Sequence, residues 1–189
     1  MEIVPIGTLW LPILVAGAIV FVVSSIIHML LPYHRNDFWK VPGEDGVMEA
    51  LRPFDVPPGD YVLPHAASPD AMRSDEFRAK VERGPTWFIT VVTPSTFFNM
   101  VPQFVQWFVY TLLVGIVAAY LGGRMLGPGA DYLEVFRVTG TVAFASYSMA
   151  LMQSSIWYKQ RWSTTLKSMF DGLIYAALTG GVFGWLWPI

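Results

Sequence analysis

Residues 9–31 read LWLPILVAGAIVFVVSSIIHMLL. The run contains no Asp, Glu, Lys or Arg, and His28 is its one ionisable residue. As a helix rising about 1.5 Å per residue it is long enough to cross a hydrocarbon core of about 30 Å. The leader MEIVPIG has no basic residue, and no small-residue cleavage site follows a short apolar stretch, so the run reads as a retained membrane helix and not as a secretory signal. Three further apolar runs follow, at residues 104–122, 138–158 and 167–187. Whole-chain composition agrees: the 189 residues are 54% hydrophobic, 15% aromatic and only 14% charged, with a mean hydropathy of +0.47, whereas soluble domains carry about 25% charged residues. The expected class is therefore an all-α membrane protein with four transmembrane helices and a small α/β cytoplasmic insertion between helices 1 and 2.

Aromatic residues sit where the ends of such helices meet headgroups. Trp10, Tyr33 and Trp39 flank the first run, Trp107 opens the second, Trp157, Tyr158 and Trp162 separate the last two, and Trp185 and Trp187 close the fourth. Basic residues set the orientation. Arg35, Lys40, Lys159 and Arg161 lie near helix ends on one side, while the other side holds Arg124 and Arg137. For a bacterial inner membrane this puts the long loop in the cytoplasm and both termini in the periplasm. The domain boundaries expected are 1–32 for the first helix, 33–103 for the insertion and 104–189 for the remaining helices.

The insertion is polar and patterned. EDGVMEALRPF has acids in its first turn, Val47, Leu51 and Phe54 at helical spacing, and Pro53 as a stop, which predicts a short amphipathic helix. PPGDYVLP predicts a turn and a brief strand. SPDAMRSDEFRAKVERGP predicts a helix capped by Ser68 or Ser74 and ended by Gly84-Pro85, and TWFITVV has strand composition. Two strands rarely stand alone, so this part is expected to rest on the membrane helices or on a partner. It reads first as a folded connection between helices 1 and 2, with a docking surface for another protein or a lid over something bound among the helices as the functional alternatives.

Several chemistries are excluded or left without a signal. The absence of cysteine removes disulfides, thiolate metal sites and cysteine nucleophiles. A net charge of -2 with no basic run offers little to phosphates, so nucleic acid is not an expected partner. No phosphate loop, dinucleotide fingerprint or catalytic triad spacing occurs, and GGRMLGPG at 122–129 lacks the lysine and preceding strand of a P-loop. No cofactor is expected.

Small residues recur at four-residue spacing within the apolar runs. Gly172, Ala176, Gly180 and Gly184 form one ridge, Gly115, Ala119 and Gly123 a second, and Ser146, Ala150 and Ser154 a third. Such ridges let backbones approach in lipid, either within a chain or between subunits. The polar residues gather toward one end: His28, Gln106, Gln153 and Asp171, one from each helix, all fall toward the cytoplasmic leaflet. A membrane carboxylate costs about 2.5–3.5 kcal/mol near a helix centre. Asp171 therefore reads either as half of a proton-linked pair with His28 or as a structural acid bonded to Lys167, Trp162 or a neighbouring backbone. One histidine and one carboxylate are too few for a metal site, His34 and His65 being placed outside the membrane.

The tail FRVTGTVAFASYSMALMQSSIWYKQRWSTTLKSMFDGLIYAALTGGVFGWLWP, with YHRNDF after the first run and MEALRPFDVPPGDYVLP in the loop, resembles a family of small uncharacterised bacterial membrane proteins. The resemblance implies a shared four-helix plan and carries no activity. The function expected is that of a non-enzymatic accessory or assembly component of the inner membrane, a homo-oligomer or bound to another membrane protein, with the lipid bilayer as its solvent. The alternatives are a small transporter or permease using the polar residues, and a membrane enzyme at the inner interface with Asp171 or His28 as base.

Overall fold

The computed structural model describes residues 2–189. The chain divides into two compact units, Met1–Phe38 with Val101–Ile189, and Trp39–Met100. Residues 33–38, read from the sequence as the start of the insertion, belong with the helical unit.

The helical unit contains α1 (Trp10–Met29), α6 (Val101–Met125), α7 (Tyr132–Ser148), α8 (Met152–Tyr158) and α9 (Trp162–Trp185). Three stretches are long and apolar enough to cross a membrane: Ile6–Met29, Val101–Met125 and Tyr132–Tyr158. The third spans α7 and α8, which are separated by a 3-10 turn at Met149–Leu151. The protein is thus a mostly helical one with the hydrophobic spans of a membrane protein. Helix α9 is as long, at 24 residues, yet Lys167, Asp171 and its hydroxyl and glycine residues dilute its apolarity.

Helix α9 has more buried residues than any of the other long helices. It packs chiefly on α7 and also on α1, while α6 packs on α1 and α7, so the four long helices close a ring. Polar groups inside apolar surroundings need protein partners, and the helix with the most of them takes the most shielded place. The hydroxyls of Thr111, Thr139 and Thr179 bond carbonyls of their own helices, at 2.7, 2.7 and 2.8 Å. One apolar core joins Leu9, Ala16, Ala118, Val135 and Phe183, and a second joins Val20, Ile27, Val114, Ala143, Tyr147 and Tyr175.

Glycines set the close approaches. Gly172 lies against Tyr147 and Ser148, Gly180 against the Phe136 carbonyl and Gly140, and Gly184 against Tyr132, all on α7. Ala176 is buried on the same helix face. Gly115 meets Ile13 of α1, Ala119 is fully buried, and Gly123 meets the Val4 carbonyl. On α7 the buried face consists of Val135, Thr139, Gly140, Ala143, Tyr147 and Ser148. Ser146 and Ser154 are half-buried and Ala150 exposed, the last lying in the turn that interrupts the helix.

At one end the Val4 amide bonds the Gly123 carbonyl at 3.0 Å and the Gly129 amide bonds the Pro188 carbonyl at 2.8 Å. The segment before α1, the α6–α7 connection and the segment after α9 therefore meet at the same end of the helical unit.

The second unit has α2 (Glu44–Leu51), β1 (Gly59–Leu63), α3 (Pro69–Arg73), α4 (Asp75–Arg83), β2 (Trp87–Val91) and α5 (Pro94–Phe98). The strands pair antiparallel from Gly59 opposite Val91 to Leu63 opposite Trp87. Both Ser68 and Ser74 act as caps, each accepting from a backbone amide at 3.1 Å, so the stretch expected as one helix forms two short ones. None of residues 39–100 is buried.

Candidate functional site

Helix α1 ends at Met29, and Pro32 begins a 3-10 turn, Pro32–His34. Proline presets the backbone angle for such a first position. The turn brings its rings against His28 of α1: His34 lies 4.1 Å from Tyr33 and 4.4 Å from His28, centroid to centroid, with the planes tilted by 40° and 35°. The Asp37 amide then bonds the His34 carbonyl at 3.0 Å, which brings the Asp37 carboxylate back onto the imidazole.

Helix α9 supplies the opposite wall. Lys167, Asp171 and Tyr175 follow one another at four-residue spacing and share a face. Lys167 Nζ donates to the Tyr33 carbonyl at 2.6 Å and to Asp37 Oδ1 at 2.8 Å. Arg161, just before the helix, donates to the carbonyls of Asn36 and Asp37 at 2.6 and 2.9 Å. Asp171 Oδ1 accepts from the Tyr33 hydroxyl, and Oδ2 stands 2.8 Å from His34 Nε2. The other imidazole nitrogen, Nδ1, stands 2.6 Å from Asp37 Oδ2. A line Asp37–His34–Asp171 results, with side-chain exposures of 11%, 10% and 2%.

A neutral imidazole has one donor and one acceptor nitrogen, yet both nitrogens of His34 face carboxylate oxygens. Burial works against the charge on Asp37, but hydrogen bonds from Lys167 and His34, with the charges of both, hold its carboxyl below the usual carboxylate value. Asp37 thus serves as the fixed anion at the outer end of the line.

His28 completes the group from α1. Its Nε2 lies 3.9 Å from Asp171 Oδ2 and 3.4 Å from the Tyr175 hydroxyl, and half of its side chain is exposed. One ligand atom each from His28, His34 and Asp171 falls within a 4.8 Å set. Of the four polar residues singled out in the sequence, the structure brings His28 and Asp171 together. Gln106 and Gln153 are exposed and make no hydrogen bond to this cluster. Lys167 reaches Asp37 and Tyr33 rather than Asp171.

Tyr33, His34 and Asp37 are the residues that sequence reasoning assigned to the insertion. Their available signal is YHRND directly after a proline at the end of the first apolar run. It places an aromatic, an imidazole and a carboxylate four, five and eight residues beyond the end of α1. A separate groove of about 340 Å³, lined by Ile3, Pro5, Ala119, Tyr120 and Arg124 among others, contains none of these groups.

Compared with family models, with curated proteins and with solved structures, the chain has no match.

Proposed function

We propose that the chain is a four-span integral membrane protein of the bacterial inner membrane, a non-enzymatic accessory component whose working centre is a ligand-binding cluster at the cytoplasmic face. The observation that carries this reading is convergence: ligand atoms of two imidazoles and a buried carboxylate, from α1, the Pro32–His34 turn and α9, lie within 4.8 Å of one another, and His28 leaves the group reachable from outside. Purely structural pairing of Asp171 needs only Tyr33 and His34, which already satisfy both of its oxygens.

Treating α9 as the fourth span is supported by its length and by the meeting of both chain ends with the α6–α7 connection. An even number of crossings returns a chain to its starting side. An accessory role is favoured over a conduit because the core beyond the cluster is apolar, and the buried hydroxyls of Thr111, Thr139 and Thr179 there are engaged with backbone carbonyls. The small-residue ridge of α9 is occupied by α7 of the same chain. A homo-oligomer or a complex with another membrane protein then uses the outward apolar faces, such as Leu113, Val117, Leu166, Phe170 and Leu173.

Absence of cysteine makes the topology directly testable. Single cysteines placed at Ser68, Ala130, Gln160 and Ile189 are probed with a membrane-impermeant maleimide in intact cells. Labelling of Ala130→Cys and Ile189→Cys, with protection of Ser68→Cys and Gln160→Cys, is the expected pattern. Labelling of Ile189→Cys on the side of Ser68→Cys rules out the fourth span.

A further inference from the structure

We propose that His28, His34 and Asp171 bind one divalent transition-metal ion of the zinc type, with Asp37 as the outer-sphere carboxylate that orients His34. This deepens the proposed function, resting on the same cluster as the working centre. Three lines of geometry support it.

The first is the donor set. Two imidazole nitrogens and a carboxylate oxygen suit zinc and its first-row neighbours, whereas magnesium and calcium prefer oxygen ligands. Around four-coordinate zinc with bonds of about 2.0–2.1 Å, tetrahedral geometry puts donor atoms about 3.3 Å apart. His34 Nε2 stands 2.8 Å from Asp171 Oδ2 and His28 Nε2 stands 3.9 Å from it. The first pair opens and the second closes by about half an ångström each to accept such an ion. His28, half-exposed, has room to swing.

The second line is the built outer shell. A metal-bound histidine commonly donates its other ring N–H to a carboxylate, which fixes the tautomer and makes the ligating nitrogen a better donor. His34 Nδ1 lies 2.6 Å from Asp37 Oδ2, and Asp37 is itself fixed by Lys167 through its side chain and by Arg161 through its carbonyl. The Tyr33 hydroxyl occupies Asp171 Oδ1, which leaves Oδ2 as the single oxygen directed at the two imidazoles. Histidines that only fill space do not require a carboxylate on each side of the ring.

The third line is charge. Asp171 is almost fully buried, in a helix read as crossing the membrane. A dication offsets the charges of the Asp171 and Asp37 carboxylates, which stand on either side of the His34 ring. Three protein ligands leave a fourth position open, as in zinc sites that take up an exogenous group. Tyr175, whose hydroxyl is 3.4 Å from His28 Nε2, gives up that contact when the nitrogen turns to the metal.

The test uses the full chain with a non-histidine tag, purified in mild detergent, stripped with chelator and titrated calorimetrically with zinc chloride. One ion per chain, a rise in Tm with zinc and its reversal by chelator are expected. His28→Ala is the deciding variant, because Tyr33, His34, Asp37 and Lys167 still hold α1 to α9. It should bind at least about 10-fold more weakly, and Asp37→Asn about 10- to 100-fold more weakly, as for outer-shell changes elsewhere. His65→Ala, in the second unit, should bind like wild type. Failure of the wild type to bind below about 1 mM zinc, or wild-type affinity in His28→Ala, overturns the proposal. If His28→Ala does not fold, X-ray absorption of the zinc-loaded wild type decides: two imidazoles and a carboxylate oxygen support it, and any other protein ligand set refutes it. Zinc failure with the expected cysteine-labelling pattern removes the metal and leaves the four-span reading, whereas the reverse result removes only the topology.

Discussion

Asp171 and Gly172 are neighbours with opposite tasks, about 100° apart around the helix. Asp171 turns to Tyr33 and His34, while Gly172 lets Tyr147 and Ser148 of α7 come close. The anchor of this arrangement is Lys167, which joins α9 to the turn after α1 by one bond to a carbonyl and one to Asp37. Hydrogen bonds to charged groups contribute about 1.5–3 kcal/mol when desolvated, and the Lys167 side chain is 31% exposed, so the lower part of that range applies. Lys167→Met should therefore lower unfolding stability in detergent by about 1–2 kcal/mol. Arg73→Met, which breaks an exposed pair with Asp70 in the second unit, should leave it unchanged within error. Equal effects would show that Lys167 behaves as an ordinary surface lysine. Asp171 and His28 were legible in the sequence as polar residues within apolar runs, because charge is rare there. His34 and Asp37 were not, because the fold-back after Pro32 depends on where α9 stands, and no periodicity within YHRND carries that information.

At the scale of elements, helix α9 shows why small residues need not imply association between subunits. A Cβ at Gly180 would lie 2.9 Å from the Phe136 carbonyl oxygen and 3.2 Å from the Gly140 Cα, both backbone atoms of α7 that cannot rotate away. At Gly181 the nearest atom outside the helix is the Tyr132 hydroxyl at 3.5 Å, an ordinary contact. Gly180→Ala should force α7 and α9 apart and destabilise the helical unit by about 1–3 kcal/mol. Gly181→Ala should be neutral or stabilising by up to about 1 kcal/mol through helix propensity. Thermal unfolding of the two variants side by side reads the difference, and equal Tm values would mean that the α7–α9 contact is looser than the backbone approach implies. Apolar runs and four-residue spacings made the long helices and the α9 ridge legible from sequence. The partner of that ridge was not legible, since a glycine series specifies close approach and leaves the neighbour open. The break at Met149–Leu151 was also hidden, because MAL between SYS and MQS has good helix formers and no proline or glycine.

On the scale of the whole molecule, the two units differ in what holds each of them together. Residues Met1–Phe38 and Val101–Ile189 contain both apolar cores. Residues 39–100 bury no side chain. Their order comes from local devices: the Ser68, Ser74 and Thr93 caps and one antiparallel strand pair. A two-stranded sheet is marginal in water by itself, and even a cored domain of about 60 residues is marginally stable. Phe54, Phe97 and Phe98, at 74%, 71% and 84% exposed, add apolar surface that this unit does not cover. Residues 39–100 expressed alone should accordingly remain soluble, because charged residues are concentrated there, but show no cooperative thermal transition and only narrow amide proton dispersion. The caps and the strand pair contribute too little to offset backbone ordering of about 1–2 kcal/mol per residue. A sharp transition with dispersed resonances would instead mean that the aromatic residues find partners within the unit. If the isolated segment is unfolded, its order in the intact protein must come from being tethered at Phe38 and Val101 or from a surface that covers the aromatics. Adding detergent micelles to the isolated segment separates these causes, since recovery of dispersed resonances identifies an apolar surface as the missing element and no recovery leaves the tether.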